Sequence, residues 1–145
     1  MELYQEKKLS DAEQVARAII KEFPSNRIAW NTLWATLNKT ERLQESLNAI
    51  KKLAQLSPQD AKVYYNMGVT YKKLGKFNKA VDCYKQAIAI RPRYAISYFS
   101  LGNVLQELRK LDEAEASYSK AIALKPDYVE AFSNLGNVLD KLGRL

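Results

Sequence analysis

A single cysteine, Cys83, and the absence of histidine leave this 145-residue chain few side chains for covalent or metal chemistry. Histidine is the commonest general base and metal ligand, so Ser/His/Asp and Cys/His nucleophilic sets and histidine-containing zinc sites are excluded. One cysteine cannot form an intrachain disulfide, and on a helix it reads as a small packing residue rather than a reactive thiol. No glycine-rich phosphate loop is present. What remains is non-covalent: amide, aromatic and lysine side chains able to hold a partner. The expectation is a binding protein and not an enzyme, with no cofactor and no metal.

Those lysines are unevenly placed. Residues 61–94 hold 8 Lys+Arg against 1 Asp+Glu, whereas residues 1–60 hold 9 against 8 and residues 95–145 hold 6 against 7, so the net charge of +7 lies in one segment. Such a band can steer an acidic partner or nucleic acid. Charge confined to one segment, rather than drawn out along a path, reads first as solvated surface and makes nucleic acid the weaker expectation. Composition, at 47% hydrophobic and 27% charged, suits a folded domain rather than a disordered one. Met1 to Ser10 lacks the apolar core of a signal peptide, and nowhere do about 18 apolar residues run together. A cytoplasmic location and no membrane partner are the default expectations.

The elements that position these side chains announce themselves through their punctuation. The four prolines are Pro24, Pro58, Pro92 and Pro126, each 34 residues after the last. Gly68, Gly102 and Gly136 repeat the interval, and Gly75 and Gly143 share a second register 68 apart. Between them, apolar residues recur at helical spacing, as in Tyr64, Met67, Gly68, Tyr71, then Ala80, Tyr84, Ala87. The next unit reads Tyr98, Leu101, Gly102, Leu105, then Ala114, Tyr118, Ala121, and Phe132, Leu135, Gly136, Leu139 begin another. Glycine and alanine let two helices approach, the larger side chains fill the space beside them, and proline ends the second helix.

This pattern resembles the consensus of the tetratricopeptide repeat (TPR) family over the whole chain, most specifically over residues 61–128. The resemblance implies an all-α fold: a right-handed α-solenoid of antiparallel helix pairs in a single array. Its expected divisions are a partial repeat over 1–26, mainly a second helix, a divergent repeat over 27–60, repeats over 61–94 and 95–128, and a first or capping helix over 129–145. Helices are expected near 10–22, 27–39, 43–56, 61–74, 77–90, 95–108, 111–124 and 129–142, with Asn26 and Asp60 as caps.

Two departures from the pattern matter. In residues 27–60, Trp34 stands where other units have glycine, and Ser46, Ile50 and Leu53 stand for Ala, Tyr and Ala. A tryptophan cannot enter a glycine-sized gap, so this pair should pack differently or Trp34 should turn towards a neighbouring unit. The last unit stops after Gly143, Arg144 and Leu145, leaving Leu135, Leu139 and Leu142 without a second helix. A longer natural protein, self-association through this end, or a simple capping helix would each account for it.

The family's ligand face is the concave surface lined by first helices, and the resemblance therefore nominates Tyr65, Asn66, Lys72, Lys73, Phe99, Asn103, Asn134 and Asn137 as partner-binding residues. The asparagines can donate to and accept from an extended peptide backbone. Asparagine-lined grooves of this kind are similar to the arrays of O-linked N-acetylglucosamine transferase-like proteins. Tyr65 and Phe99 would be apolar anchors if exposed, although packing between helices is the more ordinary role. Ala35, Ile96 and Ser100 stand where a carboxylate clamp for chaperone tails would want Asn, Lys and Arg, so that use is not expected. The resulting expectation is a scaffold for a protein or peptide, acidic if the basic repeat guides it. The alternative is a substrate-recruiting piece of a larger glycosyltransferase or sulfotransferase, and nucleic-acid binding through residues 61–94 is weaker.

Overall fold

The computed structural model describes residues 2–144. They form eight helices and, among the described residues, no strand: α1 (Glu2–Glu22), α2 (Arg27–Lys39), α3 (Leu43–Leu56), α4 (Ala61–Lys73), α5 (Phe77–Ile90), α6 (Ala95–Glu107), α7 (Leu111–Leu124) and α8 (Val129–Lys141). Each helix packs chiefly on its neighbours in the chain, and α6 also touches α8, the arrangement of a solenoid. None is long and apolar enough to cross a membrane among the described residues.

The connections are of two kinds. α1, α3, α5 and α7 each end two residues before a proline, which cannot donate to the helix ladder. α2, α4, α6 and α8 instead end in a tight turn through one residue of positive φ: Glu41 (59°), Gly75 (74°), Arg109 (62°) and Gly143 (70°). The second glycine register thus continues through two residues that are not glycine. Around Arg109, its N–H donates to Gln106 O at 3.0 Å and Lys110 N–H to Leu105 O at 2.9 Å, closing a left-handed helix C-terminus. At the other ends, Asn26 Oδ1 accepts from Ala29 N at 2.9 Å and Asp60 Oδ1 from Lys62 N at 3.0 Å, as expected of caps.

Seven helices match their expected spans to within a residue. The first is longer, beginning at Glu2 rather than near residue 10. No proline or glycine occurs before Pro24 to interrupt it, and its first turns stand free of the core, with Leu3 and Tyr4 exposed.

Inside the α4–α5 and α6–α7 pairs, glycine meets tyrosine. A Cβ on Gly68 would lie 2.6 Å from the Tyr84 ring, and one on Gly102 would lie 2.7 Å from the Tyr118 ring. The α2–α3 pair reverses the bulk: Ile50, wholly buried, faces the position of Trp34, and Ser46 Oγ donates to Trp34 O at 3.2 Å. Trp34 turns towards the next unit, where its indole N–H donates to Thr70 Oγ1 of α4 at 2.8 Å. Between later units the joints are aromatic. Tyr65 lies 5.7 Å from both Tyr84 and Tyr94, and Phe99 lies 6.0 Å from Tyr118 and 4.9 Å from Tyr128, within the range of favourable ring pairs.

Candidate binding groove

The eight nominated residues divide into four groups. Tyr65 and Phe99 are half-buried and spend much of their ring surface on the aromatic joints, so they act first as spacers between units. Asn66 is buried, at 9% exposure. Lys73 and Asn137 are exposed. Lys72, Asn103 and Asn134, from α4, α6 and α8, meet in one cavity of about 440 Å³, which Gln106, Glu107, Arg109 and Lys141 also line.

The floor of this cavity is a hydrogen-bond relay. Tyr118, fully buried on α7, points its hydroxyl at Asn103 Oδ1 at 2.6 Å and Gln106 Oε1 at 3.1 Å. A phenol has one proton, and the shorter contact takes it. Burial pushes the Tyr118 phenol up to about 12, which keeps that proton in place at neutral pH. Asn134 Nδ2 donates to the same Asn103 Oδ1 at 2.8 Å. Both lone pairs of that oxygen are therefore used, and Asn103 must present its NH2 group to a ligand as a donor, beside Asn134 Oδ1 as an acceptor.

Charge at the cavity is lopsided: Lys72, Arg109 and Lys141 against Glu107. Three arginines elsewhere are committed to ion pairs. Arg17 and Arg42 bridge Glu13 and Glu45, and Arg144 holds Asp112 and Glu115. No ion pair among the described residues involves the three cavity cations.

Lys62 lies beside a separate cavity of about 630 Å³ at the α3–α4 turn. Asp60 there already caps α4, and Arg27 donates to Ser57 Oγ at 3.5 Å. Cys83 is buried, and desolvation pushes its thiol up to about 11, which leaves it protonated and unreactive.

Sequence reasoning passed over Arg109 and Lys141. The signal for Lys141 was its place 68 residues after Lys73, which had been nominated. For Arg109 it was the gap in the Gly75–Gly143 register, because a non-glycine residue at positive φ costs on the order of 1 kcal/mol.

Comparison with known proteins places these features in a family. Models described as tetratricopeptide repeat match residues 61–94 and 83–116, and one described as TPR repeat matches 107–143; together they span 61–143. No curated protein sequence matches. Among solved structures, that of MamA superposes with a TM-score of 0.91 at 24% identity, covering 97% of this chain and 82% of that one. The first TPR of Spaghetti (RPAP3), bound to an HSP90 peptide, gives 0.78 at 23% identity, covering 81% and 93%. YrrB, described as a TPR protein with an unusual peptide-binding site, gives 0.81 at 18% identity, covering 98% and 73%.

Proposed function

The chain belongs to the tetratricopeptide repeat family, and on that footing we propose that it is a protein–protein interaction scaffold receiving an extended peptide across α4, α6 and α8. The observation that carries this reading is the amide pair. With Asn103 Oδ1 occupied by Tyr118 and Asn134, the cavity offers a fixed donor from Asn103 and an acceptor on Asn134. A donor and an acceptor side by side can meet the C=O and N–H groups of a peptide main chain, a contact that depends little on side-chain sequence. The cations around it favour an acidic segment over a basic one. RPAP3 and YrrB, which share the fold, are described as peptide-binding, in keeping with this use.

A peptide library displayed on phage and selected on the folded chain would test it. Selected peptides should lose at least about tenfold in affinity for an Asn103→Ala/Asn134→Ala variant, and nothing for Lys120→Ala on the far side of α7. Equal binding to the amide variant would reject the groove as the site.

A further inference from the structure

We infer that the apolar groove between α1 and α2 is a self-association surface, filled by α1 of a second copy of this chain lying antiparallel across a two-fold axis. It involves none of the helices that build the peptide groove.

The groove is the seat of a helix. By the proline register, in which Pro24 corresponds to Pro126, α1 and α2 are equivalent to α7 and α8. There α6 packs on α7 and touches α8. The equivalent place beside α1 and α2 is instead a cavity of about 420 Å³, lined by Ala12, Val15 and Ile19 of α1 and by Ile28 and Ala29 of α2. Val15 and Ile28 are 59% and 79% exposed. Apolar surface gathered in one such patch marks a contact rather than ordinary solvated surface.

α1 itself denies that seat to a first helix folded back in the usual way. The turn that joins first to second helix, at residues 74–76 and 108–110, falls on residues 6–8 in this register, and those residues are helical. The helix runs straight through. It carries Leu3 and Tyr4 beyond the turn register, at 81% and 64% exposure.

The stripe of α1 that borders the groove selects the occupant. Tyr4, Lys8 and Asp11 line one hollow of about 290 Å³, and Asp11 continues with Val15 into the apolar cavity, so the four share one face. Their intervals are four, three and four, the spacing of residues in line on a helix. Run antiparallel, this stripe complements itself: Tyr4 of one copy meets Val15 of the other and Lys8 meets Asp11, each pair formed twice. Direction agrees as well. A first helix joined to its second by a tight turn runs antiparallel to it, and two copies of α1 related by a two-fold axis across their length are also antiparallel. The second copy's α1 thus enters the seat in the direction the fold uses, with its first turn over Ile19 and Ile28.

Sedimentation equilibrium on the full chain tests this, with loading from about 1 μM to about 1 mM to cover weak and moderate association. The mass should rise from 16.6 kDa to twice that value and stop, because a two-fold contact closes on itself. Val15→Glu, at an exposed position, should weaken the dimer at least about tenfold by setting a carboxylate against Tyr4. Lys8→Glu and Asp11→Lys each put like charges face to face and should weaken it at least about fivefold, whereas a one-to-one mixture of the two should regain the native affinity to within about twofold. Circular dichroism of each variant should match the native chain. A chain that stays monomeric across the range would overturn the proposal and leave the groove to another apolar helix. Assemblies that grow past the dimer would overturn it too, and point to an open head-to-tail contact through α8. So would a dimer unmoved by Val15→Glu, or charge variants that associate like the native chain or do not recover on mixing.

Discussion

The α2–α3 and α4–α5 pairs have the same helix lengths, 13 and 14 residues, but opposite internal packing. In α4–α5, Gly68 makes room for the Tyr84 ring; in α2–α3, Trp34 occupies the glycine's place and Ile50 the tyrosine's. The bulk has moved between helices while their spans have kept the period. Volume shared across a helix pair is tolerated in either arrangement provided both sides change together. The exchange also alters what the pair can do for its neighbour. Tyr84 packs on Tyr65 inside its own pair, whereas Trp34 reaches across to hydrogen-bond Thr70 of the next. The divergent pair adds nothing to the cavity of Lys72, Asn103 and Asn134, which is built by α4, α6 and α8.

The sharpest way to break this comparison is to add one methyl group. Gly68→Ala puts a Cβ 2.6 Å from a tyrosine ring that is only 1% exposed and has nowhere to move, and should cost about 1–3 kcal/mol in denaturant unfolding. Gly136→Ala meets nothing within 4 Å and should be neutral or stabilising by up to about 1 kcal/mol, through helix propensity. Equal effects at the two sites would remove the steric account of the glycine–tyrosine pair.

A smaller effect is expected at the joint between the two kinds of unit. A double-mutant cycle of Trp34→Phe with Thr70→Val should give a coupling of about 1 kcal/mol, the worth of one hydrogen bond beyond the loss of bulk. Strict additivity would mean that Trp34 is held by packing alone.

The smallest concerns acid. Burial raises the Glu13 carboxyl, but its bonds to Arg17 and Arg42 outweigh that and bring it below the ordinary value; Glu45 is lowered mainly by its bond to Arg42. Stability from a lowered carboxylate is present above its unfolded pKa, near 4.5, and is lost as pH falls through the lower folded value. The α1–α3 contact should therefore loosen below that range, visible as a change in the fluorescence of Trp30, which packs on the same cluster as Ala16 of α1. The response should flatten in Glu13→Gln/Glu45→Gln; an unchanged pH profile in that variant would dissociate the ion network from the docking of α1. Glu45 and both arginines are exposed and only Glu13 is half-buried, so the effect is modest.

Much of this architecture was legible in the chain itself. The prolines marked four helix ends and the cap residues two starts, because each acts through its own backbone or its own side chain within a turn of where it stands. The amphipathic spacing gave the helices between them. The extension of α1 back to Glu2 was missed because the repeat pattern suggested a turn where the local residues supplied no break. Tyr65 and Phe99 were legible as equivalent positions, yet their exposure depended on Tyr94 and Tyr128, outside the pattern that nominated them.

The sequence by itself determined the period, the helix spans and the glycine positions, since these follow from hydrogen bonding and steric limits over a few neighbouring residues. The tertiary structure alone decided which side chains meet. Contacts between units do not keep the 34-residue interval: Trp34 and Thr70 are 36 apart, Asn103 and Asn134 only 31. The reason is geometric. Side chains reach diagonally from one helix to the next, so their partners are fixed by how the helices stack and by the direction each side chain takes. That is how Arg109, a turn residue in the linear pattern, comes to line the same cavity as Lys72, Asn103 and Lys141.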